Sequence, residues 1–296
     1  MNKEPKRWGG NKCTFFLCVT VVLTILIPDL MIVHKIGAGL DANHRSLTAW
    51  IIDIALLLFF CAVCGKGTSG RLTGVLIDSR NVMSLSRMQM LVWTLLFIAT
   101  LIVGLMINIE ANSAEPAKDI HIQWELVTLM GISITSLVGS PLILSTKKEQ
   151  TPDAGSLDTM LFDLKDQPGA THDGKIATNA TPADARWSDM FTGEEVGNAA
   201  NVDLSRVQLF YFTVIVALVY AVMIGSELTR LTENQPFEEF PAFPQMLLAL
   251  IAVSHAGYLT AKTFPHTKSA DGTSADTDAD GADTTPPANP SANAVG

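Results

Sequence analysis

Six apolar runs limit what this chain can become. They cover residues 13–33, 47–64, 88–109, 124–144, 207–225 and 244–261, each 18 to 22 residues long. A bilayer core is crossed by about 20 residues of helix, and inside lipid a helix satisfies every backbone N–H and C=O within one segment. The expected fold is an all-α integral membrane protein with six transmembrane helices. Composition agrees, with 17% charged residues and a mean hydropathy of +0.30.

The last four runs carry an internal repeat. Residues 84–94 (S-L-S-R-M-Q-M-L-V-W-T) and 203–213 (D-L-S-R-V-Q-L-F-Y-F-T) share Leu, Ser, Arg, Gln and Thr in register, 119 positions apart. Residues 129–137 match 250–258 at an offset of 121. This predicts a duplicated parallel helical hairpin, 84–144 and 203–262. Before it lie a two-helix membrane segment (1–64) and a cytoplasmic connector (65–83). An acidic cytoplasmic loop (145–202) separates the copies, and a disordered acidic tail (263–296) follows them.

Each repeat opens with a good N-cap, Ser84 or Asp203. Arg87 and Arg206 come next, where a cation opposes the helix macrodipole. Their recurrence points to a contact outside the helix, either a lipid headgroup or a carboxylate on a partner or neighbouring loop. Gln89 and Gln208 sit about 7 Å into their helices at 1.5 Å per residue. An amide at that depth is expected to bond across helices. Thr94 and Thr213 lie further along the same runs. His255 is the one histidine well inside a run. It is read either as a hydrogen-bonding partner of Gln208, Tyr211 or Thr213, or as part of a proton or ion pathway. Asp29 and Asp53 are intramembrane carboxylates by position, unless they lie shallow enough to reach headgroups.

Other features carry less chemistry. The pair Cys61 and Cys64 ends an apolar run, where cysteine serves as a small buried hydrophobe. The G-x-G-x-x-G at 65–70 follows a membrane run rather than a strand, so it reads as a turn. Gly131, Thr135 and Gly139 form a small-residue packing face. In the loop, 157–164 and 187–191 are amphipathic pieces suited to the membrane surface, the helix ends or a partner. The sequence D-T-D-A-D-G at 276–281 has only the first half of an EF-hand loop, with Pro287 at the twelfth position.

Of the 20 Lys and Arg residues, 16 fall in segments 1–12, 65–87, 145–206 and 262–296, and four in the opposite loops. The positive-inside rule then puts both termini in the cytoplasm. A net charge of −9 argues against nucleic acid as a partner.

The repeated S-R-x-Q openings, the S-H-A-G-Y-L run at 254–259 and the W-S-D-M-F-T-G-E-E-V-G-N run at 187–198 resemble a group of uncharacterised bacterial integral membrane proteins. The resemblance covers roughly residues 70–145 and 185–262. It implies a multi-pass protein of the bacterial inner (plasma) membrane and carries no activity with it.

The functional expectation is a non-enzymatic scaffold or anchor, set in the lipid bilayer, that presents residues 145–206 to a cytoplasmic protein partner. The alternative is an oligomeric ion channel or small-solute transporter, lined by Gln89, Thr94, Gln208, Thr213 and His255. A homo-oligomer is compatible with both. No cofactor, metal or catalytic residue is expected.

Overall fold

Every apolar run folds as a helix. A computed structural model describes residues 8–36, 41–167 and 169–270. Helix α1 spans Gly10–Ile32, α2 Ala42–Thr68, α3 Leu85–Glu110 and α4 Trp124–Lys148. A short α5, Ala154–Asp163, precedes α6, Leu204–Arg230, and α7, Gln245–Thr263. All but α5 are long and apolar enough to cross a membrane. The chain is a multi-pass membrane protein. The expected disordered tail begins instead as ordered chain, since 264–270 pack on the loop and bury Thr267. The rest of the tail with the EF-hand reading, and the basic residues Lys3, Lys6 and Arg7, lie outside the described residues.

Helices α3, α4, α7 and α6 close into a ring. α3 touches α4 and α6, and α7 touches the same two. The two hairpins therefore pack on each other through both of their helices. α2 lies across α3 and α6, and α1 covers α2 and α3. The Cys13 thiol reaches the Val63 carbonyl at 3.7 Å, so α1 and α2 run antiparallel side by side.

One end of the ring is closed by aromatic residues. Between α6 and α7 the chain turns inward and buries Phe237, Phe240 and Phe243. Phe240 stacks on Phe97 at 5.4 Å, and Phe243 meets Trp93 at 6.4 Å and Tyr220 at 5.5 Å. Asn108 clamps the Phe237 backbone: its Oδ1 accepts the N–H at 2.6 Å, and its Nδ2 donates to the carbonyl at 3.1 Å. Gly104 makes room, since a Cβ there would stand 2.6 Å from the Phe237 ring. Backbone bonds from His121 to Glu238 (2.7 Å) and from Phe240 to His121 (3.0 Å) join the two hairpin loops on this side. Full burial of each ring is worth about 1.5–3 kcal/mol.

The opposite end, here the loop face, carries more structure than the sequence suggested. The sequence marks the connector after α2 only as a cytoplasmic linker between spans. It folds inward through a 3-10 turn, Gly74–Leu76, and buries Leu76, Ile77 and Met83. The glycine run at its start serves close packing, because a Cβ on Gly65 would meet the Gly74 nitrogen at 2.7 Å. The long loop holds α5, an antiparallel pair β1 (Ala170–Asp173) and β2 (Ile176–Asn179), and a 3-10 turn at Trp187–Met190. Met160, Leu164, Val196 and Ala199 form a small core of their own. Met190 and Ala185 bury themselves with the connector, Leu209 and Tyr258. Of the two amphipathic pieces, 187–191 thus docks its methionine on the helix ends.

Candidate functional site

The densest chemistry on the loop face is a knot of buried charge around two glutamates. Their turn is held rigidly. Ala177 N–H donates to the Glu194 carbonyl at 2.9 Å, and Val196 N–H to the Lys175 carbonyl at 2.9 Å, which fixes the turn along β2. The Asn198 side chain accepts the Glu195 N–H at 3.0 Å. The Glu194 carboxylate then meets three cations from three parts of the chain. Oε1 lies 2.8 Å from Arg80 on the connector and 2.5 Å from Arg206 at the start of α6. Oε2 lies 2.7 Å from Lys262 at the end of α7. Glu195 takes the fourth: Lys147, at the end of α4, sits 2.5 Å from its Oε1 and also donates to the Lys262 and Phe264 carbonyls at 2.6 and 2.7 Å.

The surroundings finish the neutralisation. Asp78 pairs with Arg80 at 2.8 Å, and Asp203 lies 3.4 Å from the Arg206 Nε. Four cations therefore face four carboxylates. Tyr258 offers its ring to both Lys262 (4.5 Å) and Arg206 (5.7 Å), and Lys262 also donates to Ser140. Burial alone would raise the Glu194 carboxyl, but Arg206, Lys262 and Arg80 overcome it and hold it well below the usual carboxylate range. Burial works against the charge on Arg80, and Glu194 and Asp78 more than restore it. Glu194 and Arg80 thus both keep their charges at neutral pH.

The sequence-derived candidates separate into different environments. Arg206 is 3% exposed and belongs to the knot, so of the two expected contacts the loop carboxylate is the one present. Arg87 is half-buried, and its contact is a 3.4 Å bond to the Val75 carbonyl. Among the described residues it has no carboxylate partner. Gln89 is fully buried and donates to Thr213 at 2.7 Å, an interhelical bond between the two hairpins. Gln208 does not repeat this. It is exposed on the outer face of α6 beside Leu204 and Tyr211, with no hydrogen bond among the described residues. Thr94 bonds its own helix at Met90 and faces a crevice between α3 and α4. His255 bonds neither Gln208, Tyr211 nor Thr213; its Nδ1 lies 2.5 Å from Ser136 on α4. The expectation that these five residues line one path fails for Gln208, which points away from the ring.

The caps differ as well. Asp203 accepts the Ser205 N–H at 3.0 Å, whereas the Ser84 side chain caps nothing. Asp53, eleven positions into α2 and so about 16 Å along it, is fully buried and neither carboxylate oxygen finds a hydrogen-bond partner. The shallow reading does not hold for it. His34 reaches Asp29 at 3.5 Å near the end of α1.

Sequence reasoning missed Glu194, Glu195, Lys147, Lys262 and Arg80. Two signals were available: a Glu-Glu pair inside the W-S-D-M-F-T-G-E-E-V-G-N run, and a lysine near the end of both α4 and α7. Among the described residues no three His, Cys, Asp or Glu side chains gather as a metal site would require. No family model, curated protein or solved structure matches this chain.

Proposed function

We propose that this protein is a membrane scaffold or anchor whose long loop is a rigid platform displayed at the inner face of a bacterial plasma membrane. The observation that carries the reading is the charge knot. Cations from the connector, α4, α6 and α7 converge on Glu194 and Glu195, which fixes the loop to the bundle. A platform of that kind suits the presentation of a surface to a cytoplasmic protein. The orientation, both termini in the cytoplasm, rests on the distribution of Lys and Arg.

The filled interior supports the same reading. Phe237, Phe240 and Phe243 occupy the ring at one end and the knot occupies the other, which leaves little room for a conducting path. The second reading, an ion channel or small-solute transporter, is favoured by polar atoms buried without partners: Gln89 Oε1, Ser133 Oγ and His255 Nε2. Nothing in either reading calls for catalysis.

Flux through the purified full chain in liposomes separates the two. No ion or solute flux above empty liposomes from pH 5 to 8, with insertion verified, is the expected result. Flux that falls in His255→Ala would put the channel reading first.

A further inference from the structure

The crevice between α3 and α4 is the open counterpart of the charge knot. Aligned by their shared openings, Arg87 of α3 corresponds to Arg206 of α6; aligned by the second segments, Pro141 of α4 corresponds to Lys262 of α7. In the second hairpin Arg206 and Lys262 close over Glu194. In the first, Arg87 meets no carboxylate among the described residues, and a proline stands where the second cation would be.

Proline at 141 has two consequences. It brings no charge, and it supplies no N–H to the Leu137 carbonyl four residues back. Pro141 and Ser145 are exposed, so the crevice opens outward from the bundle. It encloses about 590 Å³. On α3 its wall follows Ser84, Arg87, Leu91 and Thr94, and on α4 Leu137, Pro141, Leu144 and Lys148, each at helical spacing. Ten residues of helix rise make it about 15 Å long. The depth away from the loop face is lined by Met90, Leu91 and Leu137, with the Thr94 hydroxyl turned to its own helix, and Leu144 continues the apolar wall toward the mouth. The mouth on the loop face holds Arg87, Lys148 and the hydroxyls of Ser84 and Ser145. Asp78 and Arg80 also border it, but Arg80 is committed to Asp78 and Glu194, and Lys148 is shared with exposed Asp173 at 2.9 Å. That leaves Arg87 as the cation with unused donors.

We propose that this crevice binds one anionic membrane lipid, with the headgroup phosphate on Arg87 and Lys148 and one acyl chain along Leu91, Leu137 and Leu144. The argument rests on charge complementarity joined to an apolar trough that opens toward lipid. It does not depend on whether the protein is a scaffold or a channel. A guanidinium forms paired hydrogen bonds to phosphate, and one such charged contact is worth at least about tenfold in affinity.

The test is native mass spectrometry of the delipidated full-length protein in detergent. It is titrated with phosphatidylglycerol, with phosphatidylcholine of the same chains, and with inorganic phosphate. The expected result is a single saturable phosphatidylglycerol site, preferred over phosphatidylcholine and not displaced by millimolar phosphate. Arg87→Gln should lower phosphatidylglycerol affinity at least about tenfold and phosphatidylcholine affinity by less, because choline offsets the phosphate charge that the two lipids share, with Arg87→Lys restoring part of the loss. Leu137→Trp, which fills the trough without touching charge, should weaken both lipids. Equal binding of the two lipids, or an Arg87→Gln protein that binds like wild type, overturns the proposal. Displacement by phosphate also overturns it, in favour of a soluble anion.

Discussion

Arg87 and Arg206 occupy the same position of the same S-R-x-Q opening, yet one lies in an open crevice and the other at the centre of a buried charge knot. The difference does not come from the residues that the two openings share. It comes from the loop turn at Glu194 and from Lys262, which α4 replaces with Pro141. A duplicated helix start therefore specifies a cation at a given depth and no more. What that cation meets is decided by the loop turn at Glu194 and by positions where the two copies differ, Ser84 against Asp203 and Pro141 against Lys262.

The comparison is broken most directly by removing Glu194. Glu194→Gln leaves Arg80, Arg206 and Lys262 buried around a neutral amide, and the expected loss is about 3–5 kcal/mol. Arg87→Gln is expected to stay within about 0.5 kcal/mol, because a half-exposed side chain gives up one long hydrogen bond. Thermal unfolding of both variants in the same detergent checks this, and equal shifts would mean that the two arginines are not in different environments.

Acid should separate the two hairpins next. Glu194 titrates well below an ordinary glutamate, so its contribution is fully present above the unfolded value of 4.5 and is lost as pH falls toward the depressed folded value. Asp189 in the neighbouring 3-10 turn is pushed up by burial and acts with the opposite sign, so the expected loss belongs to Glu194. Hydrogen exchange across 187–206 should be steady from pH 7 to 5 after correction for intrinsic rates. At lower pH it should rise, while the start of α3 near Arg87 changes less. Loss of protection already near pH 6 would assign the dependence to another group.

The smallest effect sharpens the comparison at the glutamines. Gln89→Ala should cost about 1 kcal/mol, the usual worth of an interhelical hydrogen bond in membranes, and its effect should be non-additive with Thr213→Ala. Gln208→Ala should be nearly silent. Similar costs for the two glutamines would contradict the outward position of Gln208.

The spans and the internal match were legible because length and apolarity are one-dimensional signals. The partner of Arg206 was legible only as one of two alternatives, a lipid headgroup or a carboxylate on a partner or loop, since no local period encodes a loop's path. The fate of Gln208 was hidden for another reason. Leu204, Tyr211, Ile215, Leu218 and Val222 form the exposed stripe of α6, but its buried stripe is just as apolar. In lipid, hydrophobic patterning does not say which face turns inward. The positive-inside count has a related blind spot. Arg80, Lys147, Arg206 and Lys262 contribute to it and are all buried in the protein.

Those four cations also impose an order on biogenesis. Arg80 and Lys147 leave the ribosome before Glu194 and Glu195 exist, while Arg206 and Lys262 follow them. Until the turn at 194–195 has been synthesised, Lys147 at the end of α4 lacks its carboxylate and Arg80 has Asp78 alone. A truncation between Lys147 and Glu194 therefore leaves Lys147 without its carboxylate and Arg80 with Asp78 as its one acidic partner.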